Sequence, residues 1–437
     1  MIDAVPWWRR YELSALLVFA GIAGALWLGQ CWCAFPGHLF NEVRLQPSFL
    51  LEQGLNIFPK PGSGPVTTWI YGPIAPVLFM PATLATGAAG ALLIGATINL
   101  ILIVGSVCVT CVFWPVRRKG SPDLAIRTAA AILCIALWPE SALQHMQPDS
   151  VAVAAGLLAN LFLVRSRSEA SLLRWAAAAA GVVAIGSKQT ALGVVLAQVI
   201  WLGSREGMVV AIRHGVRIAS CGLALALATM AYFGPAGVWF NMVEIPSRLP
   251  WTPELASRIS ILAPLLALHI GVPAIGLIIW RKQIWHRESA WLLPAITWAT
   301  ALPMGLAPLL KIGGSINSLQ SLLLFLPPAA VLLVAQSTRR RVGLVFAALA
   351  LLFFAERIHH AAPPMWTPRI RHLEEAKQLA TQYRNRIWFP WNPLVSSYAD
   401  GRMDHAEDGL FIRFVAGRPL NLQEARAHLP PQWSALA

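Results

Sequence analysis

Long apolar runs recur from Leu13 to Phe354, and short clusters of arginine and lysine punctuate them. Runs of roughly 20 apolar residues match the hydrocarbon thickness of a bilayer, and a chain that repeats them so often points to the membrane as its solvent. Only 12% of the residues are charged and 57% are hydrophobic, far from the balance of a soluble domain. The expected fold is an all-α polytopic membrane protein. A net charge of +14 would suit nucleic acid if the basic residues formed one stripe. They are dispersed between apolar runs instead, so they report topology and no nucleic-acid partner is expected.

Cytoplasmic loops carry an excess of Lys and Arg, which puts Arg9-Arg10, Arg117 to Lys119, Arg165 to Arg174, Arg205 to Arg217, Arg281 to Arg287 and Arg339 to Arg341 inside. Each adjacent pair of clusters must enclose an even number of crossings. Between the first two lie three apolar stretches, 13–32, 71–88 and 89–115. The middle one, YGPIAPVLFMPATLATG, contains Pro73, Pro76 and Pro81, which break a continuous helix, so it is expected to be a short juxtamembrane element at the outer interface. The run from Trp175 to Gly203 is interrupted only by Ser187-Lys188-Gln189. Two short helices meeting there keep every basic cluster inside. Each has about 14 apolar residues, roughly 21 Å against a hydrocarbon core of about 30 Å, which sinks Lys188 below the outer surface at the base of a cavity.

The remaining crossings fall near 124–139, 150–164, 216–235, 257–280, 289–310, 319–336 and 342–356. About eleven crossings result, with the N-terminus inside and the C-terminus outside. The first run is long enough to span, so Arg9-Arg10 introduces an uncleaved helix rather than a signal peptide. Gln30 before Cys31 is too bulky for a lipoprotein cleavage site. Cys33, Cys108, Cys111, Cys134 and Cys221 lie in or beside apolar segments and behave as small hydrophobes. Residues 1–356 thus form the transmembrane part, with a first outer loop over 34–88. From Arg357 the composition turns to mixed charge, and 357–437 is expected to be a small α/β extracytoplasmic domain in which RHLEEAKQLATQY forms an amphipathic helix and NRIWFPW a strand.

On this topology the unusual polar residues share the outer side. The first loop holds Glu42 and Arg44; LQHMQPDSVAV holds His145 and Asp149; the third loop is the Lys188 turn; the fourth holds Asn241, Glu244 and Arg248; the fifth is KIGGSINSLQ. Glu42 is either a solvated loop carboxylate or a general base. Asp149 follows Pro148 at a helix start, where it would cap the first turn or serve a site. A lysine at membrane depth, as at Lys188, is costly and usually paired or pathway-lining. Lys311 by itself would be an end-of-helix lysine reaching the interface, but Gly313-Gly314 permit close backbone approach and Asn317 can donate and accept hydrogen bonds. The outer histidines His38, His145, His359, His360, His372 and His405 show no metal-ligand spacing.

The order of these segments resembles the GT-C superfamily of polytopic glycosyltransferases, in particular bacterial members similar to the protein O-mannosyltransferase and aminoarabinose transferase families. NEVRLQPSFLLEQGLNIFP with TTWIYGPIAPVLFMPATLATG resembles that family's first outer loop, and QHMQPDSVAVAAGLLANLFL its second. SKQTALGVVLAQVIWL is similar to its lysine-containing turn, and KIGGSINSLQSLLLF to a G-G-x-x-N segment of some members. The likeness covers nearly the whole chain. It departs from the family at Glu42, where Asp is usual, before Tyr71, where some members carry Lys, and at Gln320, where Glu is common.

The resemblance implies transfer of a sugar from a polyprenyl-phosphate carrier to a glycan, lipid or protein acceptor at a periplasmic active site of the inner membrane. It implies Glu42 as base and Asp149 as a second acid that orients the acceptor or holds a cation. Arg44, Tyr71, His145, Lys188, Lys311 and Asn317 are then the candidate substrate and phosphate ligands, and a divalent cation, Mg or Mn, is the one candidate cofactor. The alternatives are a flippase for lipid-linked sugars and a noncatalytic scaffold of the cell envelope. Transporters commonly carry internal repeats, and none is evident between the two halves.

Overall fold

The computed structural model describes residues 11–67, 69–116, 124–279, 281–284, 289–336, 340–360 and 368–436. Arg9, Arg10, Arg117, Arg118, Lys119, Arg287 and Arg339 of the basic clusters lie outside them. Helix α1 (Glu12–Ala34) sets the pattern for the bundle. Leu13, Ala20, Gly24, Trp27 and Cys31 are buried at helical spacing, while Val18, Phe19, Ile22 and Leu26 are bare on the other side. An apolar residue that is exposed on an apolar helix is at home only in lipid. Gly24 lets α1 close on its neighbour, because a Cβ there would lie 3.0 Å from the Phe354 ring.

The first loop folds into α2 (Leu39–Glu52) and α3 (Ile74–Phe79), the latter continued by a short 3₁₀ turn over Met80–Leu84. Next come α4 (Ala88–Phe113), α5 (Leu124–Leu137), the single turn α6 (Glu140–Gln144), α7 (Pro148–Arg165), α8 (Leu172–Ser187), α9 (Leu192–Glu206) and α10 (Met208–Phe233). Short helices α11 (Pro235–Trp239) and α12 (Ile245–Arg248) flank a π turn, and α13 (Leu255–Leu266), α14 (Val272–Ile279) and α15 (Arg281–Ile284) follow. Helix α16 (Leu292–Leu309) leads through a 3₁₀ helix over Ile316–Phe325 into α17 (Leu326–Gln336), and α18 (Arg340–His360) closes the bundle. Among the described residues seven helices are long and apolar enough to cross a membrane, and α5 and α8 are shorter apolar helices. The protein is a helical, multi-pass membrane protein.

Arginines tie the helix ends at one pole of the bundle. Helix α4 stops with unpaired carbonyls, and the buried Arg127 of α5 donates to three of them, at Cys111 (3.2 Å), Val112 (2.8 Å) and Trp114 (2.9 Å). At the same pole Arg174 of α8 pairs with Glu206 of α9 at 2.7 Å, and Arg213 of α10 with Glu169 at 3.0 Å. The opposite pole carries the first loop and the C-terminal segment.

That segment comprises α19 (Arg371–Gln382), α20 (Pro393–Asp400), α21 (Glu407–Val415) and α22 (Leu422–Arg426). The expected amphipathic helix is α19. The expected strand shrinks to Ile387–Trp388, paired in parallel with Ala435–Leu436. Leu373, Ala376, Phe389 and Leu394 join Phe35, Leu45, Trp69 and Phe79 of the first-loop region in one apolar core. The Ala406 N–H donates to the Val66 carbonyl (2.9 Å) and the Gln46 amide to that of Asp404 (2.8 Å), so the segment rests on the first loop.

Candidate functional site

Helix α7 begins with Pro148, whose fixed φ suits the first helical position, and places Asp149 in its first turn. The Asp149 side chain turns to two neighbours. Lys188 Nζ lies 2.6 Å from Oδ1, and Asn317 Nδ2 donates to Oδ2 at 3.2 Å. Asp149 and Lys188 are both 3% exposed. Three positions from separate parts of the chain thereby meet at one point.

Lys188 gets there because α8 ends one residue earlier. Its backbone is extended (φ −147°, ψ 125°), and a 3₁₀ turn over Gln189–Ala191 starts α9. The loop before α3 seats directly on this break. Gly72 packs against the Gly186 carbonyl, where any Cβ would collide. Trp69 Nε1 donates to the Gly72 carbonyl (3.0 Å) and the Gln189 amide to that of Ile70 (3.1 Å). Tyr71 is thus held with its ring centroid 5.7 Å from Lys188 Nζ and 5.5 Å from the Arg44 guanidinium carbon. Arg44, Tyr71, Gln189 and Asn317 are half-buried, so the buried ion pair has a polar and aromatic rim.

Asn317 is the second residue of the 3₁₀ helix over Ile316–Phe325, a long run for that geometry. Gly313 makes the turn out of α16 at φ +79°, and a Cβ on Gly314 would strike the Pro308 carbonyl. The glycine pair is therefore needed by the backbone turn itself. Side chains three apart in a 3₁₀ helix eclipse, so Gln320 shares a face with Asn317. Gln320 Nε2, Ser321 Oγ and Ser150 Oγ are buried with no hydrogen-bond partner among the described residues. Gln320 stood out in the sequence only as a departure from the family, and Ser150, Ser321 and Gln189 were not among the expected ligands because Ser and Gln near helix ends are unremarkable by type.

The other expected residues fall in different places. Glu42 is 2% exposed, and both its oxygens are engaged by the C-terminal segment: Asn392 Nδ2 donates at 2.7 Å and the Leu394 N–H at 3.2 Å. Glu42 thus supplies a carboxylate to the N-terminus of α20 from a helix 350 residues away in sequence. Burial pushes its carboxyl up to about 7, against the pull of these hydrogen bonds. Lys311 donates Nζ to the Pro246 carbonyl (2.9 Å) and lies 5.9 Å from the Trp251 ring centroid. His145 lies against His38 with centroids 3.4 Å apart and the rings tilted by 36°, and burial with the neighbouring ring lowers its imidazole to about 4. Asp408 of α21 is not among the expected ligands. Burial raises its carboxyl, and the nearby Arg44 charge works against that rise.

A divalent cation does not fit this donor set. Asp149 is its central carboxylate, and an ammonium and an amide N–H occupy the two oxygens. Among the described residues no group of three His, Cys, Asp or Glu side chains is arranged to hold a metal ion. Comparison of the chain with protein-family models, with curated proteins and with solved structures finds no match.

Proposed function

We propose that the protein is an integral-membrane glycosyltransferase, taking a sugar from a polyprenyl-phosphate carrier and passing it to a glycan, lipid or protein acceptor at the outer face of the inner membrane. One observation carries this reading. Asp149, Lys188 and Asn317 meet beside Tyr71, so a buried ion pair sits next to an aromatic ring that a second cation, Arg44, also approaches. A phosphate that gains charge as the sugar departs needs such fixed cations in a partly dehydrated place. The seven long apolar helices, with α5, α8, α9 and the α13–α14 stretch, support eleven crossings. In that arrangement the arginine-tied pole and the N-terminus are cytoplasmic and the C-terminal segment is periplasmic.

In the proposed step the acceptor hydroxyl oxygen bonds to the anomeric carbon. The bond from that carbon to the carrier phosphate breaks, and its electron pair leaves with the phosphate. The acceptor proton passes to Asp149. Lys188 pairs with Asp149; an entering phosphate draws the ammonium away and frees the carboxylate for the proton. Arg44 is the second phosphate partner, Tyr71 separates the two cations, and Asn317 orients the acid. Glu42 holds α20 in place rather than meeting the acceptor.

The test is incubation of the purified protein in lipid nanodiscs with polyprenyl-phosphate sugars, following release or transfer of labelled sugar. Turnover is expected, with Asp149→Asn and Lys188→Met each reducing it by about 100-fold or more while the protein still elutes as a single folded species. Full turnover in both variants, or neither binding nor turnover across carriers of several lengths and sugars, refutes the proposal.

A further inference from the structure

Helix α21 has two faces of opposite surroundings. Ile412 and Ala416, just past its end, pack with Phe240, Ile245 and Ile70, and the buried Arg413 guanidinium lies 5.1 Å from the Phe240 ring centroid. Phe411 and Phe414, three apart and so on one side of the helix, are 48% and 69% exposed. Among the described residues nothing covers them further. Two bare phenylalanines on a nine-residue helix need an apolar environment.

The position of α21 says which. Its inner face touches Ile70, whose carbonyl accepts from Gln189 in the turn joining α8 and α9. That turn ends two apolar helices of 16 and 15 residues, about 24 Å long, so it lies at or below the edge of a hydrocarbon layer of about 30 Å. Arg418 binds Glu244 at 2.6 Å and fixes the far end of α21 to the segment that follows α10. On that segment Trp239 and Val243, four apart, are 61% and 41% exposed. They follow, across the turn at Gly234, the exposed residues Leu223, Leu227 and Met230 of α10, one of the helices long enough to span.

We infer that α21 lies in the membrane interface, with Phe411 and Phe414 seated among the lipids of the leaflet that α10 leaves at Phe233. The lipid-facing surface of α10 extends through Trp239 and Val243 to these two rings, and the half-exposed Arg418 stands at headgroup depth, as aromatic and basic residues do at that boundary. The C-terminal segment is then a bilayer-seated element, fixed to the first loop on one side and to lipid on the other. This inference does not depend on the protein being a glycosyltransferase.

Nitroxide labels at Phe411→Cys, Phe414→Cys and the exposed control Gln423→Cys test it, in protein reconstituted into phosphatidylcholine and phosphatidylglycerol vesicles, with labelled wild type subtracted as background. Collision with oxygen is expected to exceed that at Gln423 several-fold at both phenylalanine positions, and collision with a water-soluble nickel chelate to fall several-fold below it. Nickel accessibility equal to that at Gln423 places α21 in water and overturns the inference. Shielding from both reagents overturns it equally, since the rings would then be covered by protein. Unchanged size-exclusion profiles establish that the labelled variants are folded.

Discussion

Replacing Lys188 by Met tests the central pair most directly. The ammonium lies 2.6 Å from Asp149, and both side chains are 4% exposed, so water screens the interaction little. Removing one member of such a pair leaves a buried charge without its counterion, at a cost of about 3–5 kcal/mol. Asn317 alone, at 3.2 Å, cannot compensate for a full charge. Asp149→Leu strands the lysine and is expected to cost a similar amount. The double variant removes both charges, and a buried pair replaced by apolar groups of similar size is often neutral, so it is expected to lie within about 2 kcal/mol of wild type. The two singles and the double close a mutant cycle with a coupling energy of about 3 kcal/mol or more. Unfolding by SDS titration in mixed micelles, followed by tryptophan fluorescence, supplies the free energies. Singles that each cost under about 1 kcal/mol, or costs that simply add, would refute the claim that the pair is desolvated.

Gly72→Ala places a methyl on the Gly186 carbonyl and must shift the loop bearing Tyr71; a loss of about 1–3 kcal/mol is expected, together with weaker binding of a polyprenyl phosphate in a sedimentation assay. Arg127→Leu removes three hydrogen bonds from the end of α4 and is expected to cost on the order of 3 kcal/mol by SDS titration, with Arg127→Lys recovering only part because it lacks the fork of donors. Glu42 binds its proton more tightly in the folded chain, with a carboxyl at about 7 against an ordinary 4.5. It therefore weighs progressively against the folded state as pH rises from 4.5 to 7, and the stability of wild type relative to Glu42→Gln should fall by roughly 3 kcal/mol across that window. A flat difference would mean that the carboxylate is solvated.

Much of the bundle was legible because a bilayer allows few solutions: apolar length sets where helices run, and basic clusters mark their ends. The same reasoning picked out Lys188, since a lysine among apolar residues demands an explanation, and Asp149 and Asn317 stood out as polar groups beside apolar runs. What the sequence could not supply was direction. Asp149 at a helix start is equally suited to capping its own turn, and only the meeting of α7 with the α8–α9 break aims it at Lys188. Glu42 was a candidate base by its place in the first loop, yet its partners Asn392 and Leu394 lie near the far end of the chain. No local pattern encodes a contact over that separation. Lys311 illustrates the converse: its glycine-rich setting suggested a ligand, whereas the glycines serve the turn and the lysine reaches Pro246.

Two charged residues of α2, Glu42 and Arg44, explain how the C-terminal segment and the site are joined. Glu42 and Arg44 are two positions apart, which turns their side chains about 200° from one another around the helix axis. Glu42 faces α20 and Arg44 faces Tyr71, so one helix carries the anchor of the segment on one side and a rim residue of the site on the other. The segment then returns through α21, bringing Asp408 within electrostatic reach of Arg44. Glu42→Ala removes both oxygens that accept from Asn392 and the Leu394 N–H and so deletes the anchor. If the two sides are coupled through α2, that change must both raise protease cleavage in residues 368–436 and weaken polyprenyl-phosphate binding at Arg44. Asp408→Asn should alter the binding without the cleavage. Faster cleavage in Glu42→Ala with undiminished binding would separate the anchor from the site and leave α2 as packing alone.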